Sequence, residues 1–331
     1  MNEDYITISV TINDLNQRID VFLSKKIEQI SRNRIIKLIK ENKVLFNKKL
    51  IDSQSFIIKS IGLIEINIPK PKEYLLKPLK MQLDVLYEDE NLILINKEAG
   101  VVVHPGAGNY ENTLVNGLLD HCKNSLSGIG GVLRPGIVHR IDKMTSGILI
   151  AAKDDFTHYE LSKQFKNRTI NRKYICITMN SMPKNEGEIN ENIKRSKINR
   201  KKMIVCKSNE GKKAITTYSL LKKFAITKDL NFNFYECKLK TGRTHQIRVH
   251  FSYMKTPILG DSTYKRSKSF KNIPEKIETI IKSHFITPKR QALHAKSIGF
   301  FHPVKKKEMN FESELPYDFK YLLDCLEKQG Y

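Results

Sequence analysis

The chain has 331 residues, room for one large domain and one small one, each with a buried core. Lysine and arginine outnumber aspartate and glutamate by 58 to 35, a formal charge of +23, which selects a polyanion as the natural partner. The five cysteines (122, 176, 206, 237 and 325) form no C-x-x-C pair or metal-like spacing, and no apolar run is long enough to span a bilayer. With no signal peptide to be read, these features lead to the expectation of a cytoplasmic protein with reduced thiols and no membrane partner. Abundant Lys, Asn and Ile allow compositional bias as another source of the charge, but the basic residues cluster, which favours nucleic acid.

In chain order, Tyr5 to Thr11 alternates as a half-exposed edge strand. Arg18 to Ile30 is helical, and Ser31 is placed to N-cap a second helix, Arg32 to Asn42. On that second helix Ile35, Leu38 and Ile39 share a face with Ile36 beside it, while Arg34, Lys37 and Lys40 project from the other side. Lys43 to Asn47 and Leu63 to Ile68 alternate as short strands. From Lys25 to Lys49 nine Lys or Arg face only two acids, a density that favours phosphate contacts over a merely solvated face. Pro69, Pro71 and Pro78, interleaved with lysines, make a stiff linker and set a domain boundary near residue 80.

Beyond it, Val85 to Asp89 leads into Leu92 to Asn96, a turn at Gly100 and a strand from Val101 to His104. The G-A-G at 106–108 lacks the third glycine and the following helix of a dinucleotide site. Ile148 to Ala152 reads as a buried strand, preceded by the polar segment His139-Arg140-Ile141-Asp142 and a turn at Thr145-Ser146-Gly147. Arg140 and Lys143 flank Asp142 and suit a carboxylate kept ionised as a nucleophile; locally, an Asp capping a turn is the competing interpretation. Asp154 to Asn167 is helical, with Phe156 and Tyr159 roughly opposite Leu161 and Phe165, so contacts on both faces are expected. Arg172 to Ile177 is a strand whose Tyr174 is either a core residue or a site residue.

Lys194 to Lys213 carries nine basic residues against one acid and a short apolar run, Met203 to Cys206, as an exposed loop or hairpin does. It suits a path along a nucleic acid or plain solvation. The run Leu239 to His250 turns at Gly242 and offers Arg243, His245 and Arg248 as donors. A metal at His245 and His250 would lack an acidic or thiolate partner. Tyr317 to Leu326 closes the chain as a surface helix.

The segment Arg134 to Lys153, with H-R-I-D followed by T-S-G, resembles the central motif of the RluA-type pseudouridine synthases. Y-E-D-E-N-L-I-L-I-N-K, V-V-V-H-P-G-A-G-N, R-K-Y, G-R-T-H-Q-I-R-V-H, Pro257 to Asp261, Tyr264 and Arg290 to Ala295 extend the likeness. The order helix, basic helix, V-L-F-N resembles an S4 RNA-binding domain, with Asn42 and Lys48 where that loop has glycines. The resemblance implies an α+β chain: a small S4-type RNA-binding domain, then a mixed, mainly antiparallel-sheet pseudouridine synthase catalytic domain. The expected boundaries are 1–14 for a leading strand, 15–76 for the S4 domain, 77–84 for the linker and 85–331 for the catalytic domain.

The resemblance further implies isomerisation of uridines in RNA, most naturally 23S-type ribosomal RNA or a pre-ribosomal particle, by a monomer that does not act on DNA. Asp142 is then the nucleophile, Arg248 its ion-pair partner and Tyr174 the ring that packs on uracil and helps remove the proton from the new carbon–carbon linkage. Arg140 enters the gap left by the extruded base. Arg32, Arg34, Lys37, Lys40, Arg243 and His245 are expected RNA contacts. Isomerisation leaves composition unchanged, so no cofactor and no metal are expected. A non-enzymatic S4-domain ribosome-binding factor is the alternative, and a histidine-based nuclease a more distant third.

Overall fold

A computed structural model describes residues 4–27, 32–68, 76–106, 108–123, 125–129, 131, 134–207, 209–227, 230–264 and 273–330. Two compact units divide the chain, Met1–Tyr74 and Leu75–Tyr331. The smaller contains β1 (Asp4–Val10), α1 (Ile19–Lys26), α2 (Arg32–Lys40), β2 (Val44–Phe46), β3 (Lys49–Leu50) and β4 (Gly62–Ile68), with the sheet order β1-β4-β2-β3. β1 is antiparallel to β4 along its whole length. The core joins Phe22 and Leu23 of α1 and Ile35, Leu38 and Ile39 of α2 to Val44, Ile64 and Ile66 of the sheet. Helix α2 thus buries the apolar stripe its spacing implies.

The first helix is shorter than expected. It ends at Lys26, where Ile27 leaves helical geometry while its N–H reaches the Leu23 carbonyl at 3.0 Å. The rest of the expected helix and the proposed cap Ser31 lie outside the described residues. Helix α2 stops at Lys40 rather than Asn42, because Asn42 adopts φ 56° and Lys43 N–H closes onto the Leu38 carbonyl at 2.9 Å. Asn47 (φ 48°) and Lys48 (φ 64°) make the tight turn between β2 and β3. Both positions that depart from the glycine pattern are therefore left-handed here.

The larger unit runs β5 (Val85–Glu88), β6 (Leu92–Lys97), α3 (Leu114–Cys122), β7 (Ser146–Ala152), α4 (Asp155–Asn167), β8 (Asn171–Met179), β9 (Glu186–Asn190), β10 (Asn192–Arg195) and β11 (Met203–Cys206). It continues through β12 (Ile215–Thr227), β13 (Leu230–Leu239), α5 (Gln246–Tyr253), α6 (Glu275–Ile281), β14 (Leu293–Phe301), β15 (Glu308–Glu312) and α7 (Tyr317–Lys328). Among the described residues, nine strands form one sheet, in the order β5-β6-β7-β14-β8-β13-β12-β9 with β15 paired to β14. Only β7 and β14 pair in parallel, so the sheet is mixed and mainly antiparallel. β10 and β11 make a separate hairpin that carries part of the basic stretch.

Strand β7 explains why the apolar run is continuous. Ile148, Ile150 and Ala152 enter one core cluster with Leu161, while Leu149 and Ala151 enter the other with α3, α5 and α7 residues. A strand covered on both faces needs no polar alternation. Residues 77–84, expected as a linker, run along α3: Leu79 N–H donates to the Asn116 carbonyl (3.0 Å) and the Asn116 amide to the Lys77 carbonyl (2.8 Å).

Two expectations need correction. Val101 to His104 is not a strand; the carbonyls of Val102 and Val103 accept the N–H groups of Leu114 and Val115, the free donors that open α3. Helix α4 does not pack on both faces. Leu161 is buried and Phe165 partly so, but Phe156 and Tyr159 are 52% and 61% exposed, with the Lys306 ammonium over the Phe156 ring. The sheet covers one side of α4 only. The terminal α7 buries Phe319, Leu322, Cys325 and Leu326 along one side.

Candidate active site

The motif loop is held by its backbone before any side chain acts. Ile137 bridges to Ala151 of β7, Ile141 is buried, and the Asp142 carbonyl accepts Thr145 N–H at 3.0 Å. The Lys143 carbonyl accepts Gly100 N–H (2.9 Å) and the ammonium of buried Lys97 (3.2 Å), which also binds the Val101 carbonyl at 2.9 Å. From the other side Arg290 donates to the Met144 carbonyl (2.8 Å) and Ser146 Oγ (3.0 Å), and Gln291 donates to Thr145 Oγ1 (3.0 Å). Arg290 is itself paired with Asp318 of α7. Because Ser146 Oγ receives Arg290, its hydrogen goes to His294 Nδ1 at 2.9 Å, and His294 Nε2–H reaches Ser313 at 2.8 Å. Gly147 sits at φ 110°, and a Cβ there would lie 2.3 Å from the Ala295 carbonyl oxygen of β14. Only glycine fits that crossing.

Asp142 projects from this loop into a cleft of about 500 Å³. Arg248, in the first turn of α5, places Nη1 2.8 Å from Asp142 Oδ2. Its other face is bidentate on Asp261, Nε to Oδ2 at 2.7 Å and Nη2 to Oδ1 at 2.9 Å, and Nη2 also reaches Thr263 at 3.0 Å. Burial alone would lower the Arg248 pKa, but Asp261 and then Asp142 outweigh it and raise it well above the ordinary value. Arg248 is therefore a fixed charge whose orientation Asp261 sets.

Tyr174 on β8 lines the same cleft with 7% exposure. Burial raises its pKa; Arg172 opposes the shift and Asp142 adds to it, so the phenol is neutral at neutral pH. Arg140 lies exposed at the rim, its Nη1 3.2 Å from His104 Nε2. His104 Nδ1 faces the Pro105 carbonyl at 2.9 Å, so the ring donates there and accepts the guanidinium. His139, the first residue of H-R-I-D, is structural: Nε2 accepts Ile150 N–H at 3.0 Å, the ring stacks on Phe165, and burial pushes its pKa down to about 3.

His245 begins α5 with φ 57°, a left-handed value that is uncommon outside glycine. Its Nδ1 is 2.9 Å from Tyr264 Oη and its Nε2 is 3.8 Å from Asp142 Oδ2. Gln246 locks the turn before it, accepting from Thr241 Oγ1 (2.7 Å) and Arg243 N–H (3.0 Å) and donating to the Ile215 carbonyl (3.0 Å). His250 spends its ring nitrogens on Thr216 Oγ1 (3.0 Å) and the Glu191 carbonyl (3.2 Å).

The structure thus gathers Arg140, Asp142, Tyr174, Arg243, His245 and Arg248 around one cleft. Lys166, Arg168 and Arg172 line it too, and among the described residues Asp142 is the sole carboxylate in the lining. Such a surface attracts a polyanion and leaves one anion for chemistry. In the smaller unit, Arg32 donates to buried Asp20 through Nε (3.1 Å) and Nη2 (2.7 Å), an internal ion pair, while Lys40 is exposed. The side chains of Arg34 and Lys37 lie outside the described residues. Among the described residues no helix is long and apolar enough to cross a membrane.

A carboxylate paired to an arginine among the basic residues of one cleft describes a site suited to chemistry on a polyanionic substrate. The comparisons narrow the class. Residues 91–253 match the family described as RNA pseudouridylate synthase. The chain is 42% identical over 96% of its length, and 96% of the relative's, to a ribosomal large subunit pseudouridine synthase D of Zymomonas mobilis. It is 37% identical to an uncharacterized RNA pseudouridine synthase of Bacillus subtilis, over 98% of this chain and 99% of that one. The solved structure of human RNA pseudouridylate synthase domain containing 4 shares the fold, with a TM-score of 0.53 at 24% identity, over 73% of this chain and 92% of that one. The chain belongs to the RluA-type RNA pseudouridine synthases.

Proposed function

We propose that this protein converts specific uridines of large-subunit ribosomal RNA to pseudouridine, with Asp142 as nucleophile. The observation that carries the assignment is the 2.8 Å contact between Arg248 Nη1 and Asp142 Oδ2 at the cleft. The relative from Zymomonas mobilis, named for the ribosomal large subunit, supports the choice of RNA. In the reaction the uracil–ribose bond breaks, the base turns, and a carbon–carbon bond forms. Asp142 attacks ribose or base; Arg248 pairs with the carboxylate and orients it toward the cleft. Tyr174 packs on uracil, and its raised pKa disfavours the phenolate as the base that removes the C5 proton. Arg140, braced by His104, enters the gap left by the flipped nucleotide.

The smaller unit is the S4-type RNA-binding domain in this proposal, with residues 15–76 as its extent and 77–84 leading to the catalytic domain of 85–331. Exposed Lys40 on α2 supports phosphate contact, and the Arg32–Asp20 pair gives Arg32 a structural role beside any contact with RNA. Tritium release from RNA labelled at uridine C5, with a gel of the same RNA, separates the alternatives. The proposal expects release with intact strands. Binding with no release would favour a ribosome-binding factor, and shortened strands a nuclease.

A further inference from the structure

The proton on His245 is placed by its neighbours. Tyr264 Oη accepts the backbone N–H of Met203, the first residue of β11, at 2.9 Å. Its own hydrogen then has His245 Nδ1 as the acceptor, at 2.9 Å. Burial raises the Tyr264 pKa to about 12, so that hydrogen stays on the phenol at neutral pH. With Nδ1 accepting, neutral His245 carries its proton on Nε2. Burial lowers the His245 pKa below the ordinary histidine value; Asp142 and Asp261 oppose that shift, while Arg248 and Arg140 reinforce it.

Among the described residues this N–H has no hydrogen-bond acceptor. The 3.8 Å from Nε2 to Asp142 Oδ2 is too long for a hydrogen bond, yet it sets the donor beside the carboxylate. The Arg248 N–H groups are largely taken by Asp142, Asp261 and Thr263. Of the other cations of the cleft, Lys166, Arg168, Arg172 and Arg243 suit phosphates. An uncharged donor next to a nucleophile suits an uncharged acceptor, and uracil presents carbonyl oxygens. The left-handed backbone of His245 is consistent with strain kept for a working position.

We propose that Tyr264 is a positioning residue that fixes His245 as the Nε2–H tautomer, and that this hydrogen is donated to a carbonyl of the reacting uracil beside Asp142. The inference rests on the uridine-isomerising function proposed above. Because Met203 belongs to the basic hairpin, the same hydroxyl also ties the hairpin to the nucleophile's neighbour.

The test combines imidazole nitrogen NMR on the full chain with single-turnover tritium release. His245 is assigned by its loss from the spectrum in His245→Gln. The parent should show the Nε2–H tautomer, and Tyr264→Phe should mix the tautomers and slow turnover by about three- to tenfold, the scale of one neutral hydrogen bond. His245→Gln can place an amide N–H near the lost Nε2–H and should outperform His245→Asn. With 2-thiouridine or 4-thiouridine at the target, one substitution should shrink the rate difference between parent and His245→Ala, since sulfur accepts weakly. An Nδ1–H tautomer in the parent would overturn the proposal. So would an unchanged rate in Tyr264→Phe, Asn equal to Gln, or the same rate difference with all three bases. An inactive parent would refute the isomerase function instead, and the spectrum would still report the tautomer.

Discussion

Arg248 carries two obligations at once, since it neutralises Asp142 in the cleft and Asp261 in the interior, where the Asp261 side chain is 1% exposed. Removing it leaves a buried carboxylate unpaired, at a cost of about 3–5 kcal/mol. Arg248→Ala should therefore lose both activity and stability. Arg243, which donates from Nε to the Lys213 carbonyl at 3.1 Å, should tolerate alanine with a smaller loss of single-turnover rate. Denaturant melts and rates on both variants check the ranking, and a reversed order would remove Arg248 from the ion pair. Asp142, Tyr174 and Arg248 were legible because each lies inside a short motif. Asp261 and Tyr264 were seen only as parts of a matching segment, because their partners are distant in the chain: Asp261 answers to Arg248, and Tyr264 to His245 and Met203. Lys166 and Arg168 read in the sequence only as the basic end of a helix, which does not mark a cleft.

Among the elements, β7 and its crossing with β14 determine where the motif loop stands. Gly147→Ala would combine a left-handed backbone with a Cβ overlapping the Ala295 carbonyl, so β7 and β14 must separate. A loss of about 2 kcal/mol or more is expected from such strain, with a fall in turnover because Ser146 and Thr145 anchor the loop bearing Asp142. Urea melts of parent and variant test this, and an equal midpoint would show that the crossing can relax freely. Strand β7 was readable as an apolar run, and α2 as an amphipathic helix. The segment Val101 to His104 misled because three valines look like a strand, while its carbonyls were needed at the start of α3. The Phe156 and Tyr159 pair misled in a different way: spacing fixes a direction from the helix axis, but not whether another layer lies there.

For the whole molecule, buried histidines make acid stability a sharp property. His250 and His294 are fully buried, with pKa values lowered to about 4 and about 3, mainly by desolvation. Between pH 6.5 and roughly 4 the unfolded chain takes up these protons and the folded chain does not, so stability must fall as pH falls through that window. Two such groups contribute a slope of up to about 2.7 kcal/mol per pH unit. Chemical denaturation at pH 7.5, 6 and 5 should show a steep decline before most carboxylates titrate, and a flat profile would mean these rings are protonated in the fold. The overall plan, a basic small unit and a mixed-sheet catalytic unit, was legible from motif order and charge. The sheet's strand order was not, because β14 comes last among its core strands in sequence yet lies between β7 and β8.

The central claim is that one carboxylate in this basic cleft performs covalent chemistry on uridine. Asp142→Asn keeps the size and hydrogen-bonding capacity of the side chain while removing its charge. Single-turnover tritium release at saturating enzyme, with RNA affinity measured on the same preparation, is the most direct test. No detectable release is expected, with RNA binding retained. Release within about tenfold of the parent would contradict it, because loss of a covalent nucleophile costs far more than that.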